Sequence, residues 1–569
     1  MMKNVPKNVE TATKRLIKKG EGKLKLYGSA GTGKTYNTLN IAEMEFNNGT
    51  ELDDLVYFSY TVGAAEEGLE RILDRLFADV DKEYLEDNWR TVHSCCFDLL
   101  NLNVVMTATP KRRETFCSKI GVDFSLDQSQ MDSSEIEGSK ENVGNKLFSA
   151  YDYLRSRAIE IDDIEEDISQ MFDLDTKIDT RRGRITPKEF MVLWEGYKKQ
   201  EGLLDFQDML TGVLRRGLVP DAEVMIVDEF QDMTPLQYEV FKMWEKEIDR
   251  IYIAGDEKQA IYVFGGADPD FLMEEDCDEE IYLDKTYRLS SEVWKPAKKL
   301  AHSLKKVENP DLEPKREGGE YIRYEAQPQT SSPRQNSSMI DDEEGFDSPE
   351  LINHLEEAVE NEKSVLALFR ARFQAQEFEN IIIEKGIPFD ALRGFDIWTD
   401  QFTRLRDGII EIVEEGETEK SKKRTVTNLL GKEAHSFEDI EKFIKKLKRK
   451  VGFDKKPYHR SKEEKEYPLN YYQVKAITKH LRTKQYWDVN PKTVQIGTKH
   501  SAKGMEAQVV LTSLDTCSKV AQEMYGVNGI KDDEKRVDFV ALTRASEKLV
   551  VDESAWPELP NHTVEMLQS

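Results

Sequence analysis

The sequence predicts an α/β protein with two parallel-sheet domains, and three observations predict it. Near-continuous apolar runs stand at Leu24–Tyr27, Leu55–Tyr60, Val224–Val227 and Ile251–Ala254, the pattern of strands buried on both faces. A second set stands at Ser364–Phe369, Val494–Gly497, Val509–Leu514 and Lys548–Val551. The 569 residues exceed what one hydrophobic core fills, so at least two domains are expected.

Composition narrows the class. The chain is 38% hydrophobic and 33% charged, as a protein with large solvated faces is. No apolar run approaches the roughly 18 residues of a membrane span, and Met1 to Glu10 lacks the apolar core of a secretion signal. Five cysteines cannot frame a disulfide scaffold; Cys95, Cys96 and Cys517 read as small buried hydrophobes. A reducing, cytoplasmic setting is expected. The net charge of −28 argues against bulk attraction to nucleic acid, but not against positive charge lining one channel.

The first strand leads into Gly28-Ser29-Ala30-Gly31-Thr32-Gly33-Lys34-Thr35, which matches G-x-x-x-x-G-K-[ST] and precedes a helical pattern through Leu39, Ile41 and Met44. Glycines let backbone N–H groups wrap phosphates, and the helix N-terminus adds positive potential. Lys34 is expected to reach the outer phosphates and Thr35 to ligate Mg²⁺.

A mostly helical insert follows, from about Cys96 to Glu201, with a polar acidic tract at 127–145. The strand Val224–Val227 then ends in Asp228-Glu229-Phe230-Gln231-Asp232, carboxylates at the C-terminal edge of a sheet, where ligands bind. Asp228 is expected to hold Mg²⁺ through water, and Glu229 to orient and deprotonate an attacking water. The strand Ile251–Ala254 ends in Gly255-Asp256-Glu257-Lys258-Gln259-Ala260-Ile261-Tyr262. Gln259 is placed to sense a terminal phosphate, and Tyr262 and Phe264 to stack on bases, since an aromatic face accepts any base.

Further on, 327–349 is rich in Ser, Pro, Gln and Asp and reads as a flexible loop. Lys420 to Lys465 is dense in charge; its Lys445, Lys446, Lys448, Arg449 and Lys450 fit either a helix that tracks nucleic-acid phosphates or, the commoner case, the solvated face of a helix. His93 and His500 have no Cys or His partner at zinc-like spacing.

In this order the motifs resemble those of superfamily 1 helicases of the UvrD/Rep type. Asp228 to Asp232 is similar to that family's D-E-x-Q-D, and Gly255 to Ala267 to its G-D-x-x-Q-S/A-I-Y-x-F-x-G-A. The Phe58–Arg71 segment, with Thr61, Ala64, Ala65 and Glu67, Thr91-Val92-His93-Ser94, and Leu204-Asp205-Phe206-x-Asp208 resemble further family segments. Thr286-Tyr287-Arg288 is similar to N-Y-R, Thr498 to Glu506 to T-x-H-x-A-K-G-L-E, and Val540 to Ala545 to V-A-L/V-T-R-A.

The resemblance implies two RecA-like P-loop domains. The first comprises 1–95 and 201–290, interrupted by the helical insert 96–200. The second comprises 291–404 and 486–569, interrupted by a reduced, Lys-rich helical insert, 405–485. It implies that Tyr287 stacks on adenine, Arg288 and Arg544 meet the γ-phosphate, and Glu506 lies near the ribose. Thr61, His93, Phe264 and His500 would lie near the DNA strand. The activity implied is a DNA-dependent ATPase and 3′-to-5′ helicase on single-stranded or tailed duplex DNA, using ATP and Mg²⁺, active as a monomer or weak dimer. An NTP-gated DNA sensor acting with a partner nuclease is the alternative. One departure bears on base choice: the family's adenine-reading Gln has no counterpart in residues 1–27.

Overall fold

The computed structural model describes residues 5–60, 62–76, 82–103, 107–126, 142–164, 172, 174–308, 311–325, 346, 348–392, 397–415, 419–430, 471–515, 525–526, 529–530 and 532–553. Thr61, the Lys445–Lys450 cluster, Cys517 and nearly all of the 327–349 loop lie outside them. The chain forms two compact units, Met1–Gly318 with Met524–Thr543, and Gly319–Glu523 with Arg544–Ser569.

The first unit is built on a six-stranded sheet. Its strands are β1 (Gly22–Gly28), β2 (Leu55–Ser59), β3 (Trp89–Thr91), β6 (Val224–Val227), β7 (Arg250–Gly255) and β8 (Glu279–Leu283). A hairpin, β4 (Ile178–Thr180) and β5 (Gly183–Ile185), lies in the insert between β3 and β6. The sheet order is β3-β2-β6-β7-β1-β8, every pair parallel. The central strands are buried along their length, as the apolar runs require. Strands β3 and β8 lack such runs. β8 is an edge strand that buries only Ile281 and Leu283, so its sequence alternates.

The insert has its own core, in which Phe116, Phe148, Phe190 and Trp194 pack edge to face. Its helix Pro187–Glu201 starts at a capping box of Thr186 and Glu189 with Pro187 in the first turn. Gly202, left-handed at φ 68°, ends it.

The first compact unit runs on to Gly318. Strand β9 (Lys285–Ser290) pairs with β10 (Glu313–Arg316), which keeps 291–318 with the first unit. Helix Asp532–Leu542 packs Val537 and Val540 on Ile261 and Tyr262 and Phe539 on Trp294, within the first unit.

The second unit carries a second six-stranded parallel sheet: β11 (Glu320–Tyr324), β12 (Val365–Phe369), β13 (Asp390–Ala391), β14 (Val494–Thr498), β15 (Ala507–Ser513) and β18 (Ala545–Asp552). Its order is β11-β18-β15-β12-β14-β13. In the first unit's Met524–Thr543 stretch, two strands of two residues each, β16 (Tyr525–Gly526) and β17 (Gly529–Ile530), pair antiparallel ahead of the 532–542 helix. Helices Asp400–Glu415, Lys420–Leu430 and Tyr471–Arg482 are the described parts of the second insert and its entry.

Candidate nucleotide and nucleic-acid site

The site begins where β1 ends. From Gly28 the chain turns through Ser29 and Ala30 into helix Lys34–Asn47, with Gly31 at φ 71° and Gly33 at φ 82°. Thr32 closes the turn by donating from both its amide (3.2 Å) and its Oγ1 (2.8 Å) to the Ser29 carbonyl. The loop is braced from outside by β9. Thr286 Oγ1 donates to the Ala30 carbonyl (2.9 Å) and the Tyr287 amide to the Gly31 carbonyl (2.9 Å). Tyr287 is thereby fixed against the phosphate loop with its ring 60% exposed, free to meet a flat ligand.

The acidic turn after β6 faces the loop. Thr35 Oγ1 donates to Asp228 Oδ2 (2.7 Å), and Tyr57 donates to the same oxygen (3.0 Å). Burial first, and then the charge of Glu229, push the Asp228 carboxyl above its ordinary value; the Thr35 hydroxyl and the Lys34 ammonium oppose this. Glu229 occupies the left-handed region at φ 56°, uncommon for a residue with a Cβ and worth roughly 1–3 kcal/mol of strain. Its carboxylate accepts from Gln231 Nε2, while Gln231 Oε1 accepts from the Asp256 amide (2.9 Å). Asp256 in turn holds Gln259 Nε2 at 2.6 Å. Burial would raise the Asp256 pKa, but Lys258 and then Lys34 outweigh it and hold the carboxyl low. One chain of hydrogen bonds thus runs from Glu229 to Gln259. The Thr35 hydroxyl and the Asp228 carboxylate form a hard-oxygen donor pair of the kind Mg²⁺ prefers; Lys34, Ser29 and Thr32 are buried around the same loop.

The proposed strand-contacting residues divide. Tyr262 is only 8% exposed, stacked on Tyr60 (5.1 Å), whereas Phe264 is 43% exposed. A base can therefore reach Phe264, while Tyr262 serves in the core under it. His93 is half-buried, and desolvation lowers its pKa to about 4, so its imidazole is neutral near pH 7. It meets the edge of Phe206 (5.3 Å), which is 63% exposed and was not singled out as a site residue from sequence. The acids around Phe206 are anchored from the insert. Lys198, fully buried, donates to Asp205 and Asp208 (2.6 Å each) and to Tyr151 (2.7 Å), and lies 3.1 Å from Glu195. Its ammonium fills the one carboxylate cluster of metal-binding shape among the described residues.

In the second unit, His500 is buried in a short turn after β14, and Glu506 is exposed. Arg544 is 1% exposed and donates to the Met505 carbonyl (3.3 Å), which ties the start of β18 to the 498–506 segment. Tyr57 and Thr38, whose hydroxyls lie 3.1 Å apart, join the first unit's site without having been predicted, and Gln231, Asp256 and Thr286, present in the sequence motifs without an assigned role, take part in its hydrogen bonds. Tyr57 lies inside an apolar run, and only its fold neighbours reveal that its hydroxyl meets Asp228.

Comparison with known proteins accords with this geometry. Residues 9–280 match the UvrD/REP helicase N-terminal domain, the stretch that holds the phosphate loop, the 228–232 acids and Gln259. That stretch of the chain is similar to the UvrD/Rep helicases. ATP-dependent DNA helicase PcrA of Staphylococcus epidermidis is 22% identical over 415 residues, covering 69% of this chain and 52% of that protein. PcrA of Staphylococcus aureus is 23% identical over 412 residues, covering 68% of this chain and 51% of that protein. ATP-dependent DNA helicase Rep of Buchnera aphidicola is 26% identical over 223 residues, covering 36% of this chain and 32% of that protein. The chain spans about half the length of the PcrA proteins it matches. Among the described residues no helix is long and apolar enough to cross a membrane.

Proposed function

We propose that this chain is a helicase of the UvrD/Rep type, a DNA-dependent ATPase that moves 3′-to-5′ along single-stranded DNA and separates strands ahead of it. The observation that carries the reading is the continuous hydrogen-bonded path from the phosphate loop through Asp228, and from Glu229 through Gln231 and Asp256 to Gln259. Such a path lets the state of a terminal phosphate be felt at the turn that carries Tyr262 and Phe264.

In this mechanism the backbone N–H groups of 29–35 and Lys34 hold the phosphates, and Glu229 orients and deprotonates the attacking water. Thr35 and Asp228 would hold a Mg²⁺ ion, which would supply charge neutralisation at the phosphates. Gln259 reports loss of the γ-phosphate. Arg288 and Arg544 are proposed as cations for that phosphate, a role worth on the order of 10³-fold or more in related chemistry. Tyr287 stacks on the base, and Glu506 serves the ribose. Phe264, His93, His500 and Thr61 are proposed to contact the strand.

The test is hydrolysis and strand displacement on duplexes with 3′ or 5′ tails, in DNA and in RNA, for the wild type and Lys34→Ala. The expected result is unwinding of 3′-tailed DNA, with both activities lost in the variant while its fold is retained. DNA-stimulated hydrolysis without unwinding of any substrate would return the alternative, a DNA-sensing ATPase that acts with a partner nuclease. Near-normal turnover by Lys34→Ala would overturn the site.

A further inference from the structure

The β4–β5 hairpin is a basic spur on an acidic chain. Residues 177–184 read Lys-Ile-Asp-Thr-Arg-Arg-Gly-Arg: four cations against one carboxylate, net +3, within a chain of net −28. Lys177, Arg181, Arg182 and Arg184 are all exposed. Arg184 pairs with Asp179 across the hairpin (2.7 Å), but among the described residues Lys177, Arg181 and Arg182 have no carboxylate within ion-pair distance.

The spur is also rigid. Ile178 is buried in the aromatic core of the insert and Ile185 packs against it. The Arg181 amide donates to the Ile120 carbonyl (2.8 Å), at the end of helix Pro110–Ile120. Thr180 Oγ1 donates to the Gly183 carbonyl (2.7 Å) and accepts from the Arg182 amide (3.3 Å), which fixes the two-arginine turn. The insert is in turn seated on the turn after Tyr262: Ser156 Oγ donates to the Gly265 carbonyl (3.2 Å), and Arg157 lies 3.6 Å from Asp268. The arginines are therefore carried on a firm mount joined to the proposed strand-contacting turn.

We infer that the Arg181–Arg182 turn grips the phosphate backbone of duplex DNA, an anchor separate from the single-strand site. The inference rests on the DNA-motor reading above. The chemistry selects duplex over single strand. The segment 177–186 contains no aromatic residue, whereas single-strand grooves use aromatic faces on which unpaired bases stack. A duplex hides those faces and offers closely spaced phosphates, which guanidinium groups meet in a planar, two-pronged geometry.

The test uses the full chain, with Arg181→Gln/Arg182→Gln and the charge-keeping Arg181→Lys/Arg182→Lys. Affinity for a 3′-tailed duplex and for a single strand of the tail's length is measured against salt. Each lost phosphate contact removes about 0.9 from the slope of log K against log salt. The Gln variant should therefore have a slope shallower by about 1.8 on the tailed duplex and unchanged on the single strand, with the Lys variant near wild type. Single-strand-stimulated ATP hydrolysis at wild-type level shows that the variant is folded. An unchanged duplex slope overturns the inference. So does an equal loss on the single strand, or failure of the Lys variant to restore the slope. Absence of salt-dependent binding by the wild type on both substrates would instead overturn the motor reading itself.

Discussion

Gly31 is the position where the phosphate loop leaves least room. Its backbone is left-handed at φ 71°, and a Cβ there would overlap the Arg288 Cβ while standing 2.8 Å from Thr286 Oγ1 and 3.1 Å from the Arg288 amide nitrogen. Backbone and Cβ atoms cannot rotate aside, so Gly31→Ala must push the loop away from β9. The conformational cost of a left-handed alanine is about 1–2 kcal/mol. Separating the loop from β9 also strains two hydrogen bonds, Tyr287 N–H to Gly31 and Thr286 Oγ1 to Ala30, each worth about 0.5–1.5 kcal/mol. The expected destabilisation is about 2–5 kcal/mol, a large part of a typical stability of about 5–15 kcal/mol. Gly33 is the control. It is equally left-handed at φ 82°, but a Cβ there would find only Tyr36 at 3.6 Å and Asn37 at 3.7 Å. Gly33→Ala should cost the conformational term alone, about 1–2 kcal/mol. The assay is urea denaturation without nucleotide, followed by fluorescence, since Trp89 and Trp244 are buried in the first unit. Destabilisation by Gly33→Ala as great as that by Gly31→Ala would refute the argument from β9.

Two further outcomes are expected. Phe264→Ala should weaken single-strand binding by about 1–3 kcal/mol, one lost base stack, with thermal stability unchanged; Tyr262→Ala should chiefly lower stability, because its ring is packed on Tyr60, and equal losses of DNA affinity without loss of stability would contradict this division. In the second unit, His480 is fully buried with Nδ1 2.9 Å from the Gly386 carbonyl, and desolvation lowers its pKa from 6.5 to about 4. A lowered histidine favours the neutral folded form, so the unfolded chain takes up the proton first as pH falls. Its stabilisation is whole above pH 6.5 and declines as pH drops toward 4, by about 3 kcal/mol at pH 4. Denaturant unfolding of His480→Gln between pH 7 and pH 4 should show a shallower loss than wild type; parallel pH profiles would exclude His480 as the titrating group.

Where the sequence was legible, it was because chemistry constrains neighbours along the chain. The phosphate loop needs glycines, a lysine and a hydroxyl in one short stretch, and a strand that ends in two acids names its own edge. Central strands such as β6 and β12 are apolar throughout because both faces are covered. Edge strands carry no such signature, and β8 and β11 were missed for that reason. Tyr262 resembles an exposed stacking residue until Tyr60 is seen on its face.

By itself the sequence determined the α/β class and the glycine-rich loop pattern and named candidates for the catalytic set, since these depend on local spacing and side-chain chemistry. Only the tertiary structure decided which groups meet. It brought Tyr57 to Asp228 from 171 residues away, set Lys198 among the acids beside Phe206, and assigned helix Asp532–Leu542 to the first unit. Those pairings follow from strand order and from which faces each helix buries, and neither is written in any short stretch of chain.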